Sequence, residues 1–201
     1  MYIPRKFRIT DRGTIESFIA TYPFATLISI VDGMPLITHL PINQLGDGRL
    51  YGHLAKANPH TAVQDHSSVT AIFTGPHAYI SPTYYRSEHN VPTWNYSAVH
   101  CEGTLRFIDD EEESWRHIGE MVSVYEGKSG WSLPDEDRFM AMMGAVRFFS
   151  IAAPVFKCSF KFNQNKSPED IESVIESLEN SGAGEAAAFM VELNQPEQGC
   201  E

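Results

Sequence analysis

Hydrophobic positions along this chain change period several times, and each change marks an element. Behind Thr10 and Asp11, either of which can cap a helix, Ile15, Phe18, Ile19 and Tyr22 recur at helical spacing until Pro23 ends the run. Residues 25–31 and 35–42 are β-rich runs on either side of Asp32-Gly33, the pattern of a hairpin. Gly46-Asp47-Gly48 forms a second turn into a strand over 49–55. Asn58 before Pro59 fits an N-cap followed by the first helical position, which predicts a short helix over 59–64. Residues 69–73 are apolar enough for a buried strand, and 95–107 read as one long strand.

Between those two strands the stretch 73–104 collects Gly75, Pro76, Pro82 and Pro92 among Tyr79, Tyr84, Tyr85, Trp94 and Tyr96. Gly and Pro set a backbone path, while aromatics with polar tips suit places where something flat can lie. The plainer reading is a strand–loop–strand whose aromatics fill a β core. Trp94-Asn95-Tyr96, a stacking surface beside an amide with both donors and an acceptor, favours a ligand-facing role.

Acidic residues over 109–113 then sit at a helix start, where the macrodipole favours them, and Trp115, Ile118, Val122 and Tyr125 supply that helix's apolar face. Trp131-Ser132-Leu133-Pro134 breaks the chain before a further helix over 135–143, closed by Gly144; its Met140, Met142 and Met143 are ordinary packing residues. Two closing strands, 146–151 and 155–162, flank Ala152-Ala153-Pro154. Ser167-Pro168-Glu169-Asp170 is a capping box that opens a helix to about Glu179. The tail from Ala183 forms one more short helix and is loose from Gln195 onward. This predicts one domain over 1–180 and a C-terminal helical tail over 181–201. The class is mainly β with peripheral helices; about six or seven strands in hairpin order favour an antiparallel barrel over a doubly wound sheet.

The formal charge of −11 narrows the function. Such a surface repels nucleic acid, and the Arg5, Lys6, Arg8 and Arg12 cluster reads as solvated. No pair of adjacent helices has the short turn of a helix-turn-helix. Cys101, Cys158 and Cys200, without CxxC spacing, argue against a disulfide framework or a structural zinc. The start lacks the apolar core of a signal peptide, and no run approaches the roughly 20 residues that cross a bilayer, so a cytoplasmic protein without membrane contact is expected. GxGxxG, Walker A and nucleophile-elbow patterns are absent. None of the eight histidines is spaced for a metal. Lys56 is the one local phosphate candidate: a cation in a strand-to-helix turn, beside amides expected to be free, with His53 nearby.

PFATLIS, THLP, LYGHLAKANP, FTGPHAYISP, VPTWNYSAVH and KFNQNKS, in this order and with MYIP at the start, resemble the PaiB family of FMN-binding negative transcriptional regulators. That family is similar to the split-barrel flavoproteins that include pyridoxamine-phosphate oxidase and flavin reductases. The resemblance implies an FMN-binding split β-barrel, homodimeric, with FMN at the dimer interface. It places Thr38, His39 and Leu40 along the isoalloxazine edge, and His53, Ala55, Lys56 and Asn58 at the phosphate and ribityl chain. Trp94, Asn95 and Tyr96 would cover the ring from the partner subunit, and Lys161, Gln164 and Asn165 would reach the flavin pocket. Lys166 stands where the family often has Arg, and a Lys cannot give the bidentate fork that Arg gives a phosphate.

Two functions of different classes follow. One is an FMN-dependent sensor or regulator that does not itself bind DNA specifically. The alternative is an FMN-dependent oxidoreductase or flavin reductase, with His39, His77, Tyr79 or Tyr96 as proton donors. A haem-binding split barrel, with His53 or His77 as axial ligand, is a third reading.

Overall fold

The structure, a computed structural model, describes residues 1–127, 130–134, 139 and 142–194. The chain divides into two compact units, one of Gly13–Phe73 with His100–Phe156, the other of Met1–Arg12, Thr74–Val99 and Lys157–Glu201. Strands β6 (Ser68–Ile80), β7 (Thr93–Ile108) and β8 (Val146–Lys161) contribute residues to both.

In the first unit, helix α1 (Arg12–Thr21) buries Ile15, Phe18 and Ile19, the stripe expected from their spacing. Strands β2 (Phe24–Val31) and β3 (Met34–Pro41) form the expected hairpin. Asp32 and Gly33 both take positive φ, 51° and 77°, as a two-residue turn matched to the strand twist requires. Its register runs from Val31 opposite Met34 to Phe24 opposite Pro41. Two short segments follow, β4 (Asn43–Gln44) and β5 (Leu50–Ala55), and the strand order is β3-β2-β6-β7-β8-β5-β4. Pairings of β2 with β3 and β6, and of β5 with β4 and β8, are antiparallel.

Three expectations are corrected here. The helix predicted over 59–64 is a 3₁₀ turn, Pro59–Ala62, because Asn58 caps it but no apolar stripe sustains it. The two closing strands are one: Ala153, at φ 49°, kinks β8 without ending it. Helix α2 (Glu111–Glu126) buries His117 and Met121 most deeply, while Tyr125 is exposed and exchanges hydrogen bonds with the Asn43 amide at 3.0 and 3.1 Å. The helix predicted over 135–143 falls mainly on residues outside the described ones, as does the tail from Gln195.

In the second unit, β1 (Arg8–Ile9) pairs with β8 at Ser159 and Cys158. Helix α3 (Pro168–Asn180) starts as its capping box predicts, with the Ser167 hydroxyl accepting from the Asp170 N–H. Helix α4 (Gly184–Asn194) buries Ala186, Ala187 and Met190, and its Phe189 meets Phe160 and Phe162 at 5.2 and 4.9 Å between ring centroids. The architecture is mainly antiparallel β with helices, as the sequence implies.

Close backbone approach dictates two glycines on this sheet. A Cβ on Gly52 would lie 2.8 Å from the Phe149 ring and 3.2 Å from the Pro41 carbonyl oxygen. On Gly103 it would lie 2.5 Å from Ile151 Cγ2 and 2.8 Å from the Ala152 carbonyl, beside the kink in β8. Gly103→Ala is therefore expected to destabilise the protein by about 1–3 kcal/mol through overpacking. Urea unfolding checks this, and an unchanged midpoint would contradict the packing described.

Candidate functional site

Side chains of successive strand residues point to opposite faces. The THLP motif is therefore divided: Thr38 and Leu40 share one face of β3, with Leu40 buried, while His39 stands exposed on the other. There His39 Nδ1 is 3.0 Å from the Thr26 hydroxyl, its cross-strand partner, and its ring lies 6.5 Å from Phe24.

Thr38 meets the turn that follows β5. Its hydroxyl is 2.7 Å from His60 Nδ1 and 3.3 Å from the Asn58 amide nitrogen. Asn58 uses its side-chain oxygen to accept the His60 N–H at 2.9 Å, the N-cap that the Asn-Pro pair announced. His60 is fully buried, and its Nε2 has no hydrogen-bond partner among the described residues. The structure thus brings Thr38 and Asn58 together and adds His60, which the motif reading passed over although it directly follows the Asn-Pro cap.

Three amides of the turn at Lys56, expected to be free, are engaged instead. The Lys56 N–H donates to the Ala145 carbonyl, the Asn58 N–H to Ala55, and the Thr61 N–H to Asn58, at 2.8–2.9 Å. An anion at this turn would be held by the Lys56 ammonium rather than by a nest of backbone donors. Lys56 is exposed and lines a cavity of about 240 Å³ shared with Asp109, Glu111, Trp115 and Arg147. Ala55 is exposed as well, while His53 packs at 5.4 Å from the Phe148 ring with its Nδ1 buried and unpartnered.

The second unit holds the other candidates. Trp94 is half exposed, 5.9 Å from the His77 ring and 6.2 Å from Tyr79, and its indole N–H donates to His77 Nδ1 at 3.3 Å. Tyr96 is half-buried. Asn95 is wholly buried, and neither amide atom has a hydrogen-bond partner among the described residues. The Lys161 ammonium donates to the Thr93 hydroxyl and, at 2.9 Å, to the Trp94 carbonyl. Burial and the nearby Lys6 lower its pKa.

Beyond β8 the KFNQNKS motif anchors a loop. Gln164 closes its own strand end, donating to the Phe160 carbonyl at 2.6 Å and accepting from the Phe162 N–H at 2.8 Å. Lys166 reaches Asn90 at 2.5 Å and lies over the Tyr85 ring, whose hydroxyl accepts from Asn163. Asp170, 4% exposed, accepts the N–H groups of Arg86 and Ser87 and the Ser87 hydroxyl at 2.6–3.0 Å. Those hydrogen bonds, from Ser87 above all, hold its carboxyl below the usual carboxylate range. Asn165 is exposed. The polar stretch 86–90 is thus tied down by Lys166 and Asp170.

Burial lowers the pKa of both His53 and His60, so each is held neutral. The unfolded chain takes up these protons near pH 6.5 and the folded one only at lower pH. Their contribution to stability is therefore complete above about pH 6.5 and declines as pH falls toward the folded values. Unfolding free energies measured across this range should decrease toward acid, and His60→Gln should flatten the slope. An identical slope in the variant would show that His60 does not titrate with unfolding.

Residues 1–153 match the family described as "Putative FMN-binding domain". The chain is 32% identical over 188 residues to the Bacillus subtilis (strain 168) "Protease synthase and sporulation protein PAI 2", covering 90% of each. Among solved structures it is similar to the flavocytochrome Anf3 from Azotobacter vinelandii, with a TM-score of 0.64 and 19% identity over 80% of this chain and 72% of that one. The FAD and heme binding protein from Mycobacterium smegmatis also gives 0.64, at 16% identity over 83% and 79%. At these identities the structural likeness is one of fold alone. The family match over most of the chain, and the identity to the Bacillus subtilis protein along nearly its whole length, show that this protein belongs to the PaiB family of FMN-binding proteins.

Proposed function

We propose that the protein is a homodimeric split barrel that uses its FMN as a sensor in negative regulation, without reading a specific DNA sequence itself. The Bacillus subtilis relative is named for protease synthesis and sporulation, which suits a regulatory role. The net charge of −11 disfavours direct contact with DNA. No helix of the described residues is long and apolar enough to cross a membrane.

The observation that carries the cofactor placement is the meeting of Thr38, Asn58 and His60 directly after Lys56. In this reading the ring edge runs along the backbone of Thr38, His39 and Leu40 and the Thr38 hydroxyl, with His53, Ala55 and Asn58 along the ribityl chain and the phosphate on Lys56. The partner subunit's Trp94 and the partner subunit's Tyr96 supply the aromatic cover. Lys161 supports Trp94 through its carbonyl.

The hairpin offers the dimer surface. Phe24, Ile28 and Ile30 alternate on one face of β2, and Ile37 lies directly across from Ile28. Phe24 and Ile30 are each 66% exposed and Ile37 52%, an apolar face that a second copy of the chain would cover. Ile37→Asp should give monomers in light scattering and loss of bound FMN. A wild-type monomer that retains one tightly bound FMN would contradict the dimeric site.

Lys56→Ala tests the phosphate assignment. Losing one charge-assisted hydrogen bond should weaken FMN binding by about ten- to a hundredfold while riboflavin, which lacks the phosphate, is unaffected. Flavin fluorescence titration measures both, and equal losses would move Lys56 to the ring or the fold. Anaerobic titration of the flavin with NADH and NADPH tests the sensor role, because rapid bleaching would make the protein an oxidoreductase.

A further inference from the structure

The cavity beside Lys56 has a chemistry of its own. At about 240 Å³ it falls below the roughly 300–1,000 Å³ usual for drug-sized ligands, and it is too small to enclose a flavin with its side chain. Four charged residues line it, and two of them are satisfied by each other. Arg147 donates to both carboxylate oxygens of Asp109 at 3.1 and 3.2 Å and to the Thr61 carbonyl at 2.8 Å, with its guanidinium 3.8 Å over the Phe107 ring. That pair is closed and presents no net charge.

The other two are open. Among the described residues, neither the Lys56 ammonium nor the Glu111 carboxylate has a hydrogen-bond or ion-pair partner, and both are exposed at the cavity. Glu111 opens α2, where the helix dipole favours its negative charge. The uncharged lining includes the half-buried Trp115 indole, braced edge-on by Phe139 at 6.4 Å, the Met143 side chain and Ser114. One unpaired cation, one unpaired anion and an aromatic wall complement a ligand with the opposite arrangement.

We infer that this cavity is a second ligand site, for a small zwitterion with a flat or apolar body. Its carboxylate pairs with Lys56, its ammonium with Glu111, and its body lies on Trp115. An amino acid with an aromatic side chain has this chemistry. The site goes beyond the FMN reading and shares only Lys56 with it, so the FMN phosphate and the zwitterion's carboxylate compete for that ammonium.

Calorimetric titration of the full-length protein with three probes tests the inference: L-phenylalanine, 3-phenylpropionate, which lacks the ammonium, and phenethylamine, which lacks the carboxylate. L-phenylalanine should bind about tenfold or more tightly than either of the others, the effect of one charge-assisted contact. Glu111→Gln should reduce L-phenylalanine to the level of 3-phenylpropionate and leave FMN affinity unchanged. Lys56→Ala should reduce it to the level of phenethylamine. Absence of L-phenylalanine binding at millimolar concentration overturns the proposal, as does an affinity that neither substitution alters. A loss with only one of the two variants makes the site one for a singly charged ligand and overturns it as well. Failure of the wild type to bind FMN would touch the flavin reading alone, because the Glu111 arm does not depend on it.

Discussion

Strand β8 can pair along its length only because its neighbours yield space to its side chains. Its Phe149 and Ile151 are wholly buried, and each presses against a backbone without a Cβ, at Gly52 on β5 and Gly103 on β7. The pairing of Leu50–Ala55 with residues 146–151 then carries the end of β5 to the Lys56 turn. Every element of the candidate phosphate end hangs on that register, since a slip of one residue would send His53 and Lys56 to the opposite face.

The turn after β5 shows how tightly a small polar segment can be satisfied. Asn58 acts with its side chain and both backbone groups, accepting from His60 and Thr61 and donating to Ala55. With those three amides engaged, the groups without a partner among the described residues include two side chains, the Lys56 ammonium and the buried Nε2 of His60 behind Thr38. A flavin phosphate here meets a point charge rather than a cradle. The same ammonium lines a cavity that Glu111, a charge of opposite sign, lines as well.

Much of the fold was legible in local patterns. The Asp32-Gly33 hairpin, the α1 stripe, the Asn58 and Ser167 caps and the long strand through 95–107 each depend on residues within a few positions of one another. The 3₁₀ turn at Pro59–Ala62 and the unbroken β8 were not legible, because propensity recognises a cap or a proline but not how many turns packing will sustain. Trp94 was singled out as a stacking surface and stands half exposed beside His77 and Tyr79. Asn95, its neighbour, was read with it, yet strand alternation turns that amide into the interior.

The sequence by itself determined the family, the antiparallel β class and FMN as the cofactor, because these reside in contiguous motifs and in turn residues whose backbone demands are local. Only the tertiary structure decided that His60 stands against Thr38, that Asp170 and Lys166 hold the loop at 86–90, and that Arg147 pairs with Asp109 while Lys56 and Glu111 have no partner among the described residues. The partners in these contacts lie from about twenty to more than eighty residues apart along the chain. No periodicity encodes such distances; they follow from strand register and from the requirement that buried polar groups find partners.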